Sequence, residues 1–355
     1  MKFFAGLNVD SDFIQNVTCA AVVLKVQYLL YKEKDPWHSD LEANWLQKVF
    51  CNSVTSFAKF WHDYEVHGLE QLQGSEGNNL LVGYHSRCTL DLFYMFCTLR
   101  CNVLASYLFY KVEITRPLLP LLNIIPSKSL NGGSIADSFT EALVRTPQPL
   151  MLLPGGVFEC LKYSSDKHKV QWKEEPGFAR VIKDNAEQLG RKTKVFAFYT
   201  RNCERILFSP NWWYDLSARW SMSMYDSFKN GSLLVMPPML VVMLASTGFL
   251  PLPSPVKVDT YISEPLTMQP NETAEEFAGR VRIRLQKLID DVESSLPNDR
   301  RTLLHKLAMM PYGVYVLVQN TFLYTCAFGL IMSTYPPLVL YSLYSWLVGE
   351  KKKAK

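Results

Sequence analysis

Residues 65–300 of this 355-residue chain predict an α/β fold, a mixed sheet flanked by helices, with membrane-associated segments on both sides of it. Three observations carry that reading. Short apolar runs alternate with amphipathic helical stretches from about Val66 to Leu296, the pattern of strands and helices layered on one core. One of those stretches opens with the capping signature Thr273-Ala274-Glu275-Glu276. After the domain, not one charged residue occurs between Pro311 and Gly349.

Taken in order, residues 1–64 predict membrane-associated helices. Phe13 to Tyr31 is mostly apolar but contains Gln15, Asn16, Lys25 and Gln27. At roughly 19 residues it suits either a crossing or a segment lying in the interface. Trp45, Val49, Phe50, Val54, Phe57, Phe60 and Trp61 then form a stripe at helical spacing. It is either a core helix or, the preferred reading, a membrane-surface helix, because Trp and Phe suit the headgroup boundary. Within the domain, strands are predicted at Leu80–Tyr84, Val103–Leu108, Leu150–Leu153, Val195–Thr200 and Val256–Ile262. Helices are predicted near Leu90–Leu99, Ser134–Val144, Phe178–Leu189 and Ala274–Leu296, the last with Phe277, Val281, Leu285, Leu288 and Val292 on one face.

The run Leu233–Leu250 is interrupted by Pro237 and Pro238 and precedes a strand of the same sheet. It reads as core, or as a hydrophobic entrance resting on a membrane. Residues 307–349 predict a hydrophobic helical hairpin. The uncharged stretch would extend about 58 Å as helix, close to two crossings of a ~30 Å hydrocarbon layer, and Pro336-Pro337 breaks it. The tail, 350–355, carries Lys352, Lys353 and Lys355. That is either the spacing of a dilysine retrieval signal of the endoplasmic reticulum or an electrostatic stop beside anionic lipid. Both place the tail in the cytosol.

Hydrophobic residues make up 48% of the chain and the mean hydropathy is near zero, which suits a globular domain with a few membrane-embedded pieces. Four of the 37 basic residues are the lysines at 351, 352, 353 and 355, and the remaining 33 equal the 33 acidic residues. Nothing favours nucleic acid as a partner. The eight cysteines show no Cys-x-x-Cys pair and no zinc-ligand spacing, so no metal site is predicted, and Cys97 and Cys101 read as small buried hydrophobes. A cleavable leader is not expected, since Lys25 interrupts the first apolar stretch, and reduced thiols are expected.

Of six histidines, His85 alone has an informative setting. It leaves the apolar run Asn79-Leu80-Leu81-Val82-Gly83-Tyr84 and precedes Asp91 across a strand-to-helix turn. Such a pair can form a general base and its orienting carboxylate, although a His near an Asp is by itself more often a structural bond. A second block, Leu150-Met151-Leu152-Leu153-Pro154-Gly155-Gly156-Val157-Phe158-Glu159, ends a buried strand in Pro-Gly-Gly. Missing side chains there let a substrate approach the backbone, where free amides can face an oxyanion. Glu159 adds a carboxylate. There is no Gly-x-Ser-x-Gly elbow, no Walker loop and no dinucleotide fingerprint, and neither Cys88 nor Cys160 is marked as an activated thiolate.

Together the two blocks resemble the lysophospholipid acyltransferase superfamily, whose signature pairs a His-to-Asp motif with a downstream Pro-(Glu/Gly)-Gly block. The chain is most similar to the branch of transmembrane protein 68 and, more distantly, to the diacylglycerol acyltransferase type 2 enzymes. It has five residues between His85 and Asp91, as that branch does, where most of the superfamily has four. The resemblance runs from about Glu65 to Val292 and includes Gly177-Phe178-Ala179. It implies His85 as base, Asp91 as its partner, and Gly155, Gly156 and Glu159 as part of the acceptor site. Arg87 would meet a phosphate of coenzyme A, or else be a surface arginine.

Two departures matter. Phe158 stands where members often carry a basic residue, and Ile124-Ile125-Pro126-Ser127-Lys128 ends without the usual Arg. A buried phosphate needs paired charge, so a neutral acceptor is implied, diacylglycerol or monoacylglycerol. The implied donor is acyl-CoA, with a membrane phospholipid also chemically competent, and no bound cofactor is expected. The implied setting is the endoplasmic reticulum membrane, with domain and C-terminus facing the cytosol. The rival readings are an enzyme acylating a lysophospholipid or another alcohol, and a non-catalytic lipid-binding or scaffold protein on the same fold.

Overall fold

The computed structural model describes residues 45–73, 78–87, 90–105, 119, 123–126, 134–145, 148–172, 177–229 and 253–311. The segments predicted at Phe13–Tyr31 and Leu233–Leu250, the hairpin beyond Pro311, the basic tail and residues 106–108 of one predicted strand lie outside them. Among the described residues, no helix is long and apolar enough to cross a membrane.

A seven-stranded mixed sheet forms the centre. Its strands are β1 (Glu65–His67), β2 (Asn78–Gly83), β3 (Asn102–Ala105), β4 (Ile124–Pro126), β5 (Leu150–Leu152), β6 (Thr193–Arg201) and β7 (Asp259–Ile262). They lie in the order β1-β7-β6-β2-β5-β3-β4. All neighbours are parallel except β6 and β7. The helices are α1 (Trp45–His62), α2 (Leu69–Gln73), α3 (Leu90–Leu99), α4 (Ile135–Arg145), α5 (Gly156–Cys160), α6 (Gly177–Leu189), α7 (Asn211–Lys229), α8 (Ala274–Ser294) and α9 (303–311).

The pleat of β2 explains the layering. Leu80 and Val82 point into a cluster with Phe139, Phe178, Phe277 and Val281, from α4, α6 and α8. Leu81 points the other way, into a cluster with Phe50, Met95, Phe96 and Phe198, which brings in α1 and α3. Residues of a strand alternate faces, and full burial of each such side chain contributes about 1.5–3 kcal/mol. Helix α8 starts where its sequence predicts: Thr273 accepts from the Glu276 amide while the Glu276 carboxylate accepts from Thr273, an arrangement worth about 1 kcal/mol.

The stripe of α1 is a correction. It is directed into the domain rather than onto a membrane surface, because Phe50 and Trp61 are buried, Val49, Val54 and Phe57 pack against the core and α1 packs along α3. The short strands β1 and β4 and the helix α7 were not predicted at all.

Candidate active site

The geometry starts from the three parallel strands at the centre of the sheet. Strands β5, β2 and β6 are neighbours, so their C-terminal ends open on one edge, where ligands of open α/β sheets bind. The end of β2 delivers Tyr84, His85 and Ser86; the end of β5 delivers Pro154, Gly155, Gly156 and Glu159; and β6 runs on into a 3₁₀ turn, Cys203–Arg205, that carries Glu204. Two blocks separated by about 65 residues of sequence thus meet because their strands are adjacent.

His85 is half-buried and its Nδ1 lies 2.8 Å from the Ser86 carbonyl oxygen. A carbonyl only accepts, so Nδ1 carries the proton and the neutral ring keeps its lone pair on Nε2. No hydrogen bond to Nε2 occurs among the described residues. Burial is the main cause that pushes the His85 pKa down to about 4, assisted by the nearby Lys162 charge and opposed by the Ser86 bond. The imidazole is therefore neutral near pH 7, as a base must be.

Asp91 is not the direct partner of His85. Its carboxylate accepts from the Ser86 hydroxyl at 2.8 Å, so Ser86 links the two, its carbonyl on the ring and its hydroxyl on the acid. Burial raises the Asp91 pKa to about 7, against the Ser86 bond that lowers it.

Glu159 also departs from expectation. It is fully buried, and its two oxygens accept from the His85 amide at 2.8 Å and the Gln171 amide at 2.9 Å. It ties the β5 turn to the β2 exit rather than facing an acceptor. Gly155 serves the same contact, since a Cβ there would lie 2.5 Å from the Glu159 carboxylate. Gly156 differs: it has φ +51° with open space beside it, but its amide is engaged by the Leu153 carbonyl at 3.0 Å. That amide is not free for an oxyanion.

Arg87 is not a surface arginine. It is 2% exposed and donates to the Tyr214 carbonyl, the Ser217 hydroxyl and the Lys162 carbonyl at 2.7–2.8 Å, its guanidinium 3.3 Å from the Tyr214 ring centre. Behind His85 lies a buried array that the sequence reading missed. Lys162 donates to the His85 carbonyl at 3.0 Å and pairs with Glu204 at 3.4 Å. Glu204 also accepts from Tyr84 at 2.7 Å and Tyr214 at 2.9 Å. Burial alone would raise the Glu204 pKa, but Lys162 and the two hydroxyls hold it below the usual value.

An apolar cleft of about 670 Å³ lies between α4, α6 and α8, lined by Phe139, Leu152, Leu153, Pro154, Trp172 and Phe178 among others. His85 is not part of its lining. The two are linked through Glu159, which meets Gly155 and Gln171, the sequence neighbours of Pro154 and Trp172. At the far edge of the sheet Glu65, His67 and Asp259 lie close enough to share a cation. The Lys257 ammonium already stands among them, 2.9 Å from Asp259 and 3.4 Å from Glu65, so the group reads as an ion-pair cluster. The five described cysteines, 51, 97, 101, 160 and 203, are buried and unbridged.

No family model matches the chain. It is 28% identical to the mouse (Mus musculus) protein named "DGAT1/2-independent enzyme synthesizing storage lipids", over 78% of this chain and 76% of that one. The human (Homo sapiens) protein of the same name is 28% identical over 74% and 72%. Among solved structures, the 1-acyl-sn-glycerophosphate acyltransferase from Thermotoga maritima matches with a TM-score of 0.46 and 13% identity, covering 81% of this chain and 100% of that one. The chain is a homologue of these storage-lipid enzymes over about three quarters of its length. In agreement with the resemblance read from the two sequence blocks, the proteins it is similar to are named as enzymes of lipid synthesis.

Proposed function

We propose that the chain esterifies a glycerolipid hydroxyl, diacylglycerol in the first instance, with His85 as general base and acyl-CoA as donor. The observation that carries the proposal is the Nδ1–H bond to the Ser86 carbonyl, which presets Nε2 as the proton acceptor. In the reaction Nε2 takes the hydroxyl proton while the oxygen attacks the thioester carbonyl carbon. The tetrahedral intermediate collapses with loss of the C–S bond, and the imidazolium returns its proton to the leaving thiolate. The products are a triacylglycerol and free coenzyme A.

The neutral acceptor is supported by the cations near His85. Arg87 and Lys162 are both buried, and the terminal nitrogens of both are engaged by protein groups, which supports an acceptor without a phosphate. The cleft beside Pro154 suits an apolar chain, being within the usual ~300–1,000 Å³ of ligand pockets. The relatives act in storage-lipid synthesis. The setting is the endoplasmic reticulum membrane, with the domain and the lysine tail in the cytosol.

The test is acyl transfer by the purified chain from labelled acyl-CoA to a panel of acceptors. Wild type makes triacylglycerol, and His85→Ala loses on the order of 10²–10⁴ in rate with its fold intact by circular dichroism. Full activity in that variant refutes the mechanism, and preference for a lysophospholipid refutes the acceptor.

A further inference from the structure

Helix α7 is built inside out. Its inward face consists of Tyr214, Ser217, Ala218 and Ser221, all buried, and two of these hold Arg87. At 100° per residue the opposite face carries Trp212, Leu216, Arg219 and Trp220. Trp212 is 59% and Trp220 51% exposed, and Phe208, four residues before Trp212, is 53% exposed. Arg219, one residue before Trp220, is exposed as well.

We propose that this outer face of α7, with Phe208 in the segment just ahead of the helix, docks on a lipid bilayer surface, with Phe208, Trp212 and Trp220 set among the headgroups and Arg219 reaching their phosphates. Lipid is the chosen occupant for three reasons. Tryptophan, with one apolar ring and one N–H, favours the headgroup level, where one end is apolar and the other wet. An exposed Arg on an apolar stripe finds anionic oxygen there without leaving the surface. And the sequence after Lys229 continues into the Leu233–Leu250 run, almost free of charge.

The same helix carries Tyr214 against Glu204 on its other side. Docking therefore sets the end of the sheet that bears His85 one helix thickness, about 10 Å, from the lipid layer. The relation to catalysis rests on the proposed function; the docking itself does not.

The test uses the full chain reconstituted in phosphatidylcholine vesicles, with and without bromine near the headgroup end of the acyl chains. Bromine quenches only tryptophans within lipid reach. The comparison is wild type against Trp212→Phe/Trp220→Phe, which keeps apolar rings but removes both fluorophores from the face. We expect brominated lipid to quench wild type clearly more than the double variant. Equal quenching in the two proteins overturns the proposal, whether the face then meets water, the chain's own apolar run or a second copy. No turnover is needed for this result, so quenching without acyl transfer would leave the docking face standing and refute the proposed function instead. As a second readout, Trp212→Asp/Trp220→Asp should raise the apparent KM for acceptor presented in vesicles but not for a short-chain, water-dispersed acceptor. Equal effects on both acceptors count against docking.

Discussion

Replacing Lys162 by Met tests the buried array behind His85 most directly. The ammonium and the Glu204 carboxylate are 0% and 2% exposed and 3.4 Å apart. The same ammonium donates to the His85 carbonyl at 3.0 Å and sits 3.7 Å above the Tyr84 ring. Methionine matches the stem but leaves Glu204 buried with two tyrosine donors and no counter-charge. Breaking one partner of such a pair costs about 3–5 kcal/mol. Because Tyr84 and Tyr214 remain, about 3 kcal/mol is expected, a large part of the ~5–15 kcal/mol that holds a domain together.

The pH dependence supplies a sharper signature. In the wild type the Glu204 pKa is held below its ordinary 4.5, so its contribution is complete above that value and Glu204 gives no slope between pH 5 and 8. In Lys162→Met the largest opposing charge is gone, and burial, resisted mainly by the two tyrosine hydroxyls, raises the carboxyl above 4.5. The folded state then binds more protons than the unfolded one, and stability falls as pH rises from 4.5. Denaturant unfolding of the purified variant from pH 5 to 8 reads both effects, and Glu204→Gln added to Lys162→Met should restore most of the loss. A loss under about 1 kcal/mol, or a variant curve flat with pH, would refute the account.

Further expectations concern neighbouring groups. Asp91→Asn keeps an oxygen for the Ser86 hydroxyl while removing the charge and one acceptor, so it should lower kcat/KM far less than His85→Ala. An inflection near pH 7 in the wild-type profile, where activity rises as Asp91 ionises, should vanish in the amide variant. Gly155→Ala drives a methyl into the Glu159 carboxylate and should displace it from the His85 amide, with a stability loss of about 1–3 kcal/mol by thermal or denaturant unfolding. His62 is fully buried with its pKa pushed from 6.5 to about 4, chiefly by burial. Its contribution is complete above pH 6.5 and is lost as pH falls toward 4, by roughly 3 kcal/mol in all. Unfolding curves of His62→Gln should show a flatter acid limb.

Much of this architecture was legible in the chain. The runs behind β2, β5 and β6 are dense in Leu, Val and Phe because both faces of these strands are covered, and the capping box of α8 marks its own start. Helix α7 was illegible because its polarity is reversed: serines and alanine face inward and tryptophans outward, so no stripe points to a core. Strands β1 and β4 have three residues each, too few for a period to show.

The site followed the same division. His85 and the glycine turn announce themselves by type and spacing. The engagement of Arg87, Lys162 and Glu204 depends on partners up to 130 positions apart, and nothing local distinguishes a buried charge from a solvated one. One sequence signal was available for Glu159: a carboxylate four residues after a glycine can fold back over the bare Cα.

The edge of the sheet has a consequence for how the chain is made. Among the described residues, strand β1 finds its partner only in β7, with Glu65 opposite Asp259. Just before it, Trp61 donates to the Pro253 carbonyl, the His62 carbonyl accepts from Val258, and Arg301 reaches the Trp61 carbonyl. A ribosome delivers these N-terminal residues nearly 200 positions before the ones that hold them. Strand β1 must therefore wait, its mate unsynthesised, while the central strands assemble. Closing that seam is a late and entropically slow event, and a nascent chain stalled before residue 253 would leave the seam open to chaperones.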